Sequence, residues 1–337
     1  MARTKIPLLA LHEVEPGQLA DFFALLVERS KGITREGKPY YACWFRDNQR
    51  TVACMIWADS PWYEACERDW LEGHPYKLRA LYTEHERFGP QIELHNIRPA
   101  TEADKADGFD PAQIVESSRF AVDELFQELS AIVEKEIRDA PLRKLVLTLL
   151  TDNEKALKDL PASERQFYPF RGGWLEHVRS VTQNCIRLAD HYLTLYPELK
   201  PPLNRDLVIA GAVLHDLGRV RELSAALAAP QPTVPGKLFG HLLLARDMIR
   251  DAARAQGDVD PELVQLLEHL VLTHLVLPEW GSPRLPLIPE VLILHHADDL
   301  DAKMEMYVRC LTRDQGAGPF TAPDPVLRKP LLKQRKV

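Results

Sequence analysis

The sequence holds no apolar run approaching the roughly 18 residues that a membrane-crossing helix needs. Its start, Met1-Ala2-Arg3-Thr4-Lys5-Ile6-Pro7, shows no apolar stretch of the kind that marks a secretion signal. A cytoplasmic, reducing setting is therefore expected. There is no C-x-x-C pair. The five cysteines, Cys43, Cys54, Cys66, Cys185 and Cys310, are odd in number and scattered. Neither a disulfide framework nor a thiolate zinc site is indicated. Basic charge is not in excess, since 42 Lys and Arg face 49 Asp and Glu for a net charge of −7. That argues against coating nucleic acid through bulk charge, and leaves a local basic groove open. No internal repeat or low-complexity tract is present. What is present is a chain of 337 residues that is 45% hydrophobic. This suffices for two domains, or three, whose cores need no metal or disulfide merely to fold.

The pattern changes character along the chain. Residues 18–98 read as strands: 22–30, 40–45, 51–57, 76–84 and 90–97, with turn signals at Arg35-Glu36-Gly37-Lys38-Pro39 and Asp47-Asn48. A short helix is expected over Pro61–Leu71, and a hinge at Phe88-Gly89. Five short strands with one helix inserted late fit a closed barrel of the OB type, with a generic five-stranded sheet as the alternative. From Asp110 on, a helical period takes over. Helices are expected at 111–117, 119–137, 140–157, 173–195, 204–217, 236–256, 260–274 and 288–310. Start signals include Asn204 before Arg205-Asp206, Asp260 before Pro261-Glu262, and Pro235-Gly236. The expected architecture is α+β and multidomain: an OB-type barrel over 1–100, a polar linker at 101–112, an all-α bundle over 113–311, and an irregular basic tail at 312–337. That tail, with Arg328, Lys329, Lys333, Arg335 and Lys336, is either solvated or an RNA-backbone contact.

The bundle is organised around Ala210-Gly211-Ala212-Val213-Leu214-His215-Asp216-Leu217-Gly218-Arg219. An apolar helix long enough for about two and a half turns ends on His-Asp, and Gly218 is expected to close it. An imidazole and a carboxylate side by side can share one cation, or the carboxylate can bridge two. Of twelve histidines in the chain, most should be structural or solvated. In the helical half, His177, His215 with Asp216, His241, His274 and Asp298 each come from a different helix and could face one centre. His269, five residues before His274, falls on another face and ranks below it; His191 reads as structural. At least one of His295 and His296 reads as packing or as support for a ligand. Nitrogen and carboxylate donors suit Mn²⁺, Fe²⁺, Co²⁺, Ni²⁺ or Zn²⁺. Two such cations about 3.5–4 Å apart could share Asp216, acidify a water and clamp the oxygens of a displacement at phosphorus. Each imidazole would need an acceptor for its other N–H, and Glu176, Asp299 and Asp301 are the candidates.

The order His177, His215-Asp216, Asp298 resembles the H…HD…D signature of the HD superfamily of metal-dependent phosphohydrolases, and His241 and His274 resemble the added ligands of its dinuclear members. Four segments are similar to the YhaM-type 3′→5′ exoribonucleases, which place an OB domain before an HD domain. They are His215–Arg219, Gly236-Lys237-Leu238-Phe239-Gly240-His241, Glu279-Trp280-Gly281-Ser282-Pro283, and Leu300-Asp301-Ala302-Lys303-Met304. The likeness runs from about 19 to 329. Two departures stand out. Gly218-Arg219 replaces the family's Gly-Lys and keeps the charge, and His274-Leu275-Val276 replaces its His-His-Gly, which bears on the metal count or a substrate contact.

The resemblance implies a metal-dependent phosphodiesterase, with two divalent cations per chain, that shortens single-stranded RNA, or DNA, from the 3′ end. A homo-oligomer is compatible with the sequence, and a membrane partner is not expected. Asp216, Arg219 and Lys237 are the candidate catalytic residues. Arg219, Lys237 and Arg284 could meet phosphate oxygens, with Arg171 and Lys303 ranked below them; exposed helix-end charge is the alternative for each. Tyr40, Tyr41, Trp44, Phe45 and Trp57 include candidate stacking platforms for bases, Trp44 among them, although strand alternation turns about half inward. Two other functions remain open from sequence: a small-nucleotide phosphohydrolase, and a nucleic-acid-binding protein that has lost catalysis.

Overall fold

The computed structural model describes residues 6–333, except 35, 86–88, 165, 225–229, 315, 317 and 325. Arg35, Phe88, Arg335 and Lys336, invoked above, lie outside the described residues. The chain divides between Ser117 and Ser118 into two compact units.

The first unit is built from β1 (Leu19–Ile33), β2 (Pro39–Arg46), β3 (Thr51–Trp57), α1 (Tyr63–Arg68), β4 (Pro75–His85) and β5 (Gly89–Pro99). The strands close in the order β1-β2-β3-β5-β4. Closure depends on the length of β1. Its first half, Leu19–Leu25, pairs with β4, and its second half pairs with β2. A bulge between Leu26 and Glu28 bends the strand between its two partners. With α1 between β3 and β4, this is the OB-type barrel expected. Alternation decides which aromatics face inward. Tyr41, Cys43 and Phe45 are buried with Phe22, Leu78, Tyr76 and Tyr82, whereas Tyr40 and Trp44 point outward on the same strand. The stretch expected as a linker is folded. Glu102–Asp107 forms a 3-10 turn, α2 covers Pro111–Ile114, and Phe109, Ile114 and Val115 are buried with Phe23.

The second unit is helical: α3 (Val122–Glu136), α4 (Ala140–Asp152), α5 (Glu154–Asp159), α6 (Gly173–Leu195), α7 (Arg205–Leu214), α8 (Arg219–Glu222), α9 (Val234–Gln256), α10 (Pro261–Thr273) and α11 (Pro289–Arg313). Helix α7 is its axis, with Leu207 through Leu214 all buried. Asn204 Oδ1 accepts from the N–H of Leu207 and fixes where α7 starts. Gly211 lets α10 approach closely, because a Cβ there would lie 2.2 Å from Leu270.

Five expectations need correction. The helix expected over 140–157 breaks at Asn153 into α4 and α5, and the one expected over 111–117 is a single turn. The helix expected over 204–217 stops at Leu214. Gly218 does not close it in the left-handed region; its φ and ψ of −59° and −18° are ordinary. Glycine is needed there for another reason, since a Cβ would sit 1.9 Å from the carbonyl oxygen of His241. The residues after 312 are not all irregular: Phe320 and Leu332 form an antiparallel bridge, Thr321 and Leu331 are buried, and Lys333 pairs with Asp314.

Candidate metal centre

The floor of the centre is the end of α7. His215 caps that helix, and the next turn carries Asp216 before α8 starts. Helix α6 passes alongside, and the indole Nε1 of buried Trp174 donates to the backbone oxygen of Asp216 at 3.0 Å, which pins the turn. His177 stands one turn further along α6. Helix α9 is broken at Gly240, whose φ of 69° and ψ of 165° are not helical. The break makes His241 the first residue of the onward helix and turns it toward Asp216. His274 caps α10, and Asp298 lies in the middle of α11.

These side chains converge. His177, His215, Asp216, His274 and Asp298 are buried, and His241 nearly so. The Nε2 atoms of His177, His215 and His274 lie 3.1, 3.9 and 4.0 Å from the Asp298 carboxylate. His241 Nε2 lies 3.3 Å from Asp216 Oδ1. Two groups have their donor atoms mutually within 4.8 Å: His177, His215 and Asp298, and His215, Asp216 and His274.

Hydrogen bonds at the back of each ring set its orientation. His215 Nδ1 contacts the carbonyl of Ala212 at 2.9 Å, and His274 Nδ1 that of Val271 at 2.8 Å. A carbonyl oxygen only accepts, so Nδ1 carries the hydrogen in both rings and Nε2 presents a lone pair inward. His177 Nδ1 donates to Asp301 Oδ2 at 2.8 Å, and His241 Nδ1 to Glu222 Oε1 at 3.3 Å. Among the described residues, the buried Nε2 atoms of His177, His215 and His241 find no hydrogen-bond partner. Lone pairs aimed at carboxylate oxygens at these distances need a cation between them, whether a proton or a metal. The arrangement therefore fits divalent cations held by nitrogen and carboxylate oxygen.

The electrostatics agree. Burial drives His177 toward the neutral form, yet Asp298 and Asp301 outweigh it and lift its pKa to about 9. Burial opposes the charge on Asp298, but His177, His215 and His274 hold its pKa down at about 2. Burial likewise opposes ionisation of Asp216, and Arg219, His241, His215 and His274 keep its pKa well below the usual carboxylate range. His274 has a backbone carbonyl behind it instead, and burial together with His215 lowers its pKa to about 4.

The other sequence candidates sit as follows. Arg219 is turned into the protein; its Nε donates to Asp216 Oδ2 at 2.7 Å and its Nη1 to Glu222 at 3.2 Å. Lys237 is exposed on the first turn of α9, ahead of the break that positions His241. Arg284 is exposed in the segment between α10 and α11. Lys303 is exposed and paired with Asp299 at 2.7 Å, so Asp299 does not support a ligand. Nor does Glu176, which accepts from Ser118 Oγ and pairs with Arg119. Arg171 pairs with Asp159. His295 donates from Nδ1 to the carbonyl of His274 and is the supporting member of the 295–296 pair; His296 is exposed. His269 Nε2 accepts from the N–H of Leu287, away from the centre. In the barrel, Trp44 is outward and 37% exposed, and Tyr40 packs against Trp57 with centroids 5.4 Å apart.

Sequence reasoning missed Glu222. It accepts from both the backbone N–H and Nδ1 of His241 and also takes the Arg219 guanidinium. The only signal was its place six residues after Asp216, which means nothing until α8 folds. It also missed Tyr168. This residue sits at φ 42° with its ring centroid 5.5 Å from that of His177, and burial and Asp301 raise its hydroxyl pKa.

Residues 174–303 match the HD domain family. Over 311 residues the chain is 32% identical to the 3′-5′ exoribonuclease YhaM of Bacillus licheniformis, covering 90% of this chain and 91% of that protein. It belongs to the YhaM family. The YhaM of Bacillus subtilis gives 31% identity over 309 residues, again covering 90% and 91% of the two chains. Among solved structures, a replication protein A domain from Methanococcus maripaludis matches 28% of this chain and 98% of that chain at 13% identity with a TM-score of 0.23, too low to bear on the argument. Two residues follow His274 directly in this YhaM-family chain. Leu275 is half-buried beside His274, and Val276 is held at φ 66°, a conformation that costs a β-branched residue dearly. Among the described residues, no helix is long and apolar enough to cross a membrane.

Proposed function

We propose that this chain is a divalent-metal-dependent phosphodiesterase that removes nucleotides from the 3′ end of single-stranded RNA. The observation that carries the reading is the convergence of buried, unpartnered Nε2 atoms on the carboxylates of Asp216 and Asp298. The family supports the substrate and the direction, because the relatives at 31–32% identity are named 3′-5′ exoribonucleases.

In this reading His177, His215 and Asp298 would hold one cation, and Asp216, His241 and His274 a second. When bound, they supply Lewis acidity, polarising the phosphoryl oxygens and acidifying the attacking water. The protein's own part is orientation. Asp301 and Glu222 fix the rings of His177 and His241, which is the service outer carboxylates give to ligating imidazoles. Arg219 holds Asp216 ionised and aimed, and is a positioning residue more than a phosphate contact. That leaves exposed Lys237 and Arg284 as the cations available to phosphate, since Lys303 is paired with Asp299. The barrel, with Trp44, Tyr40 and Trp57 outward, is the holding module for single strands.

The test is a product ladder. RNA labelled at its 5′ end should shorten one nucleotide at a time from the other end when Mn²⁺ is supplied, and should stay intact with a chelator. Hydrolysis of a panel of free nucleotides, with RNA untouched, would overturn the proposal.

A further inference from the structure

The motif Glu279-Trp280-Gly281-Ser282-Pro283 has so far been given no task. It follows α10 directly, and Pro278–Trp280 forms a single 3-10 turn. This turn lies beside residues that carry the centre. A Cβ on Gly281 would lie 3.9 Å from Leu242 and 4.0 Å from Leu275, the residues that follow His241 and His274. Trp280 stacks on His295 at an interplanar angle of 27° and a centroid distance of 6.0 Å. His295 in turn donates to the carbonyl of His274 at 2.8 Å. Gly281 holds φ 108°, a conformation that side chains rarely adopt, and this fixes the turn that presents the indole. One face of Trp280 is thus backed by an imidazole anchored to a candidate ligand, yet the residue remains 52% exposed.

A tryptophan held rigid beside a phosphate-cleaving centre, backed on one side and open to solvent, is what a nucleobase stacks on. We infer that Trp280 is the platform for the base of the nucleotide being removed, so that the enzyme reads the terminal residue as a nucleotide and not as a bare sugar phosphate. The inference rests on the phosphodiesterase reading above and adds the element that positions the scissile nucleotide. Stacking tolerates any base, so the platform sets the position of the terminus without selecting sequence.

Two measurements separate this inference from the reading beneath it. The first compares two 5′-labelled oligoribonucleotides that differ only in whether the 3′-terminal ribose carries a base. Trp280→Ala should lower kcat/KM about tenfold on the base-bearing RNA, mainly through KM, and leave the abasic one unchanged. Trp280→Phe should restore most of the loss. Equal losses on both substrates, or none on either, would overturn the inference. The second needs no turnover: adenosine monophosphate should bind the wild type about tenfold tighter than ribose 5-phosphate, and Trp280→Ala should erase that difference. Should RNA prove inert while this preference holds, the nuclease reading falls and the platform stands. Equal binding of the two compounds to the wild type would remove the platform, whatever happens to RNA.

Discussion

The two units use their interiors in opposite ways. The barrel fills its interior with Phe22, Phe45, Tyr76, Tyr82, Leu78 and buried thiols, and leaves Tyr40, Trp44 and Trp57 outside. The bundle has a larger apolar core, yet reserves its centre for His177, His215, Asp216, His274 and Asp298. A small closed barrel has no room for an ionic centre, since strand alternation sends every second side chain into a space those side chains must fill. A bundle can house one because facing helices bring in side chains together with the groups that orient them, backbone carbonyls for His215 and His274 and carboxylates for His177 and His241. Whatever the barrel recognises it must meet on its surface, and what the bundle binds it must enclose.

The sharpest way to break this contrast is to remove a proposed metal ligand. Asp216→Ala should lower turnover by about a thousandfold or more, while retention of RNA on a filter stays within about threefold of the wild type. A parallel loss of retention would mean that the bundle, and not the barrel, does the holding. Glu222→Gln should weaken metal binding or activity by about 10- to 100-fold, read by metal titration, because the ring of His241 loses its orienting carboxylate. Trp57→Ala or Trp44→Ala should do the reverse: about tenfold weaker RNA retention, with cleavage of a dinucleotide unchanged.

Stability should divide along the same line. At a metal concentration about a hundredfold above Kd, chelation should cost the bundle about 2.7 kcal/mol for each cation removed. Hydrogen exchange should register it in α6, α10 and α11 and leave β1 to β5 unmoved. The smallest effect is expected at the rim. Val276→Gly should raise unfolding stability by about 1 kcal/mol, measured in urea, by relieving the strain of a valine at positive φ.

The two units were also unequally legible. In the barrel, Tyr40-Tyr41-Ala42-Cys43-Trp44-Phe45 announced a strand, but not which face was inward; register with β1 and β3 assigned that. In the bundle, His177, His215, Asp216, His241, His274 and Asp298 could be picked from their helical contexts, and the fold does bring them together. Their supports could not be picked with the same success. Two of the four imidazoles lean on backbone carbonyls, which every residue has, and Glu222 reaches His241 only because Gly240 breaks α9. Gly218 looked like a helix stop and proved to be clearance for a neighbouring helix.

Local pattern alone determined the order of elements, the α+β character and the chemical type of the donors, because periodicity and side-chain chemistry are written one residue at a time. Only the tertiary structure decided which nitrogen of each histidine faces inward, which carboxylates support and which ligate, and that Arg219 turns toward Asp216. Some of those outcomes are settled within a turn, three residues apart for Arg219 with Asp216 and for the rings of His215 and His274, and others join residues 19 and 124 positions apart, His241 with Glu222 and His177 with Asp301; all are set by how the helices end and pack, which has no linear signature.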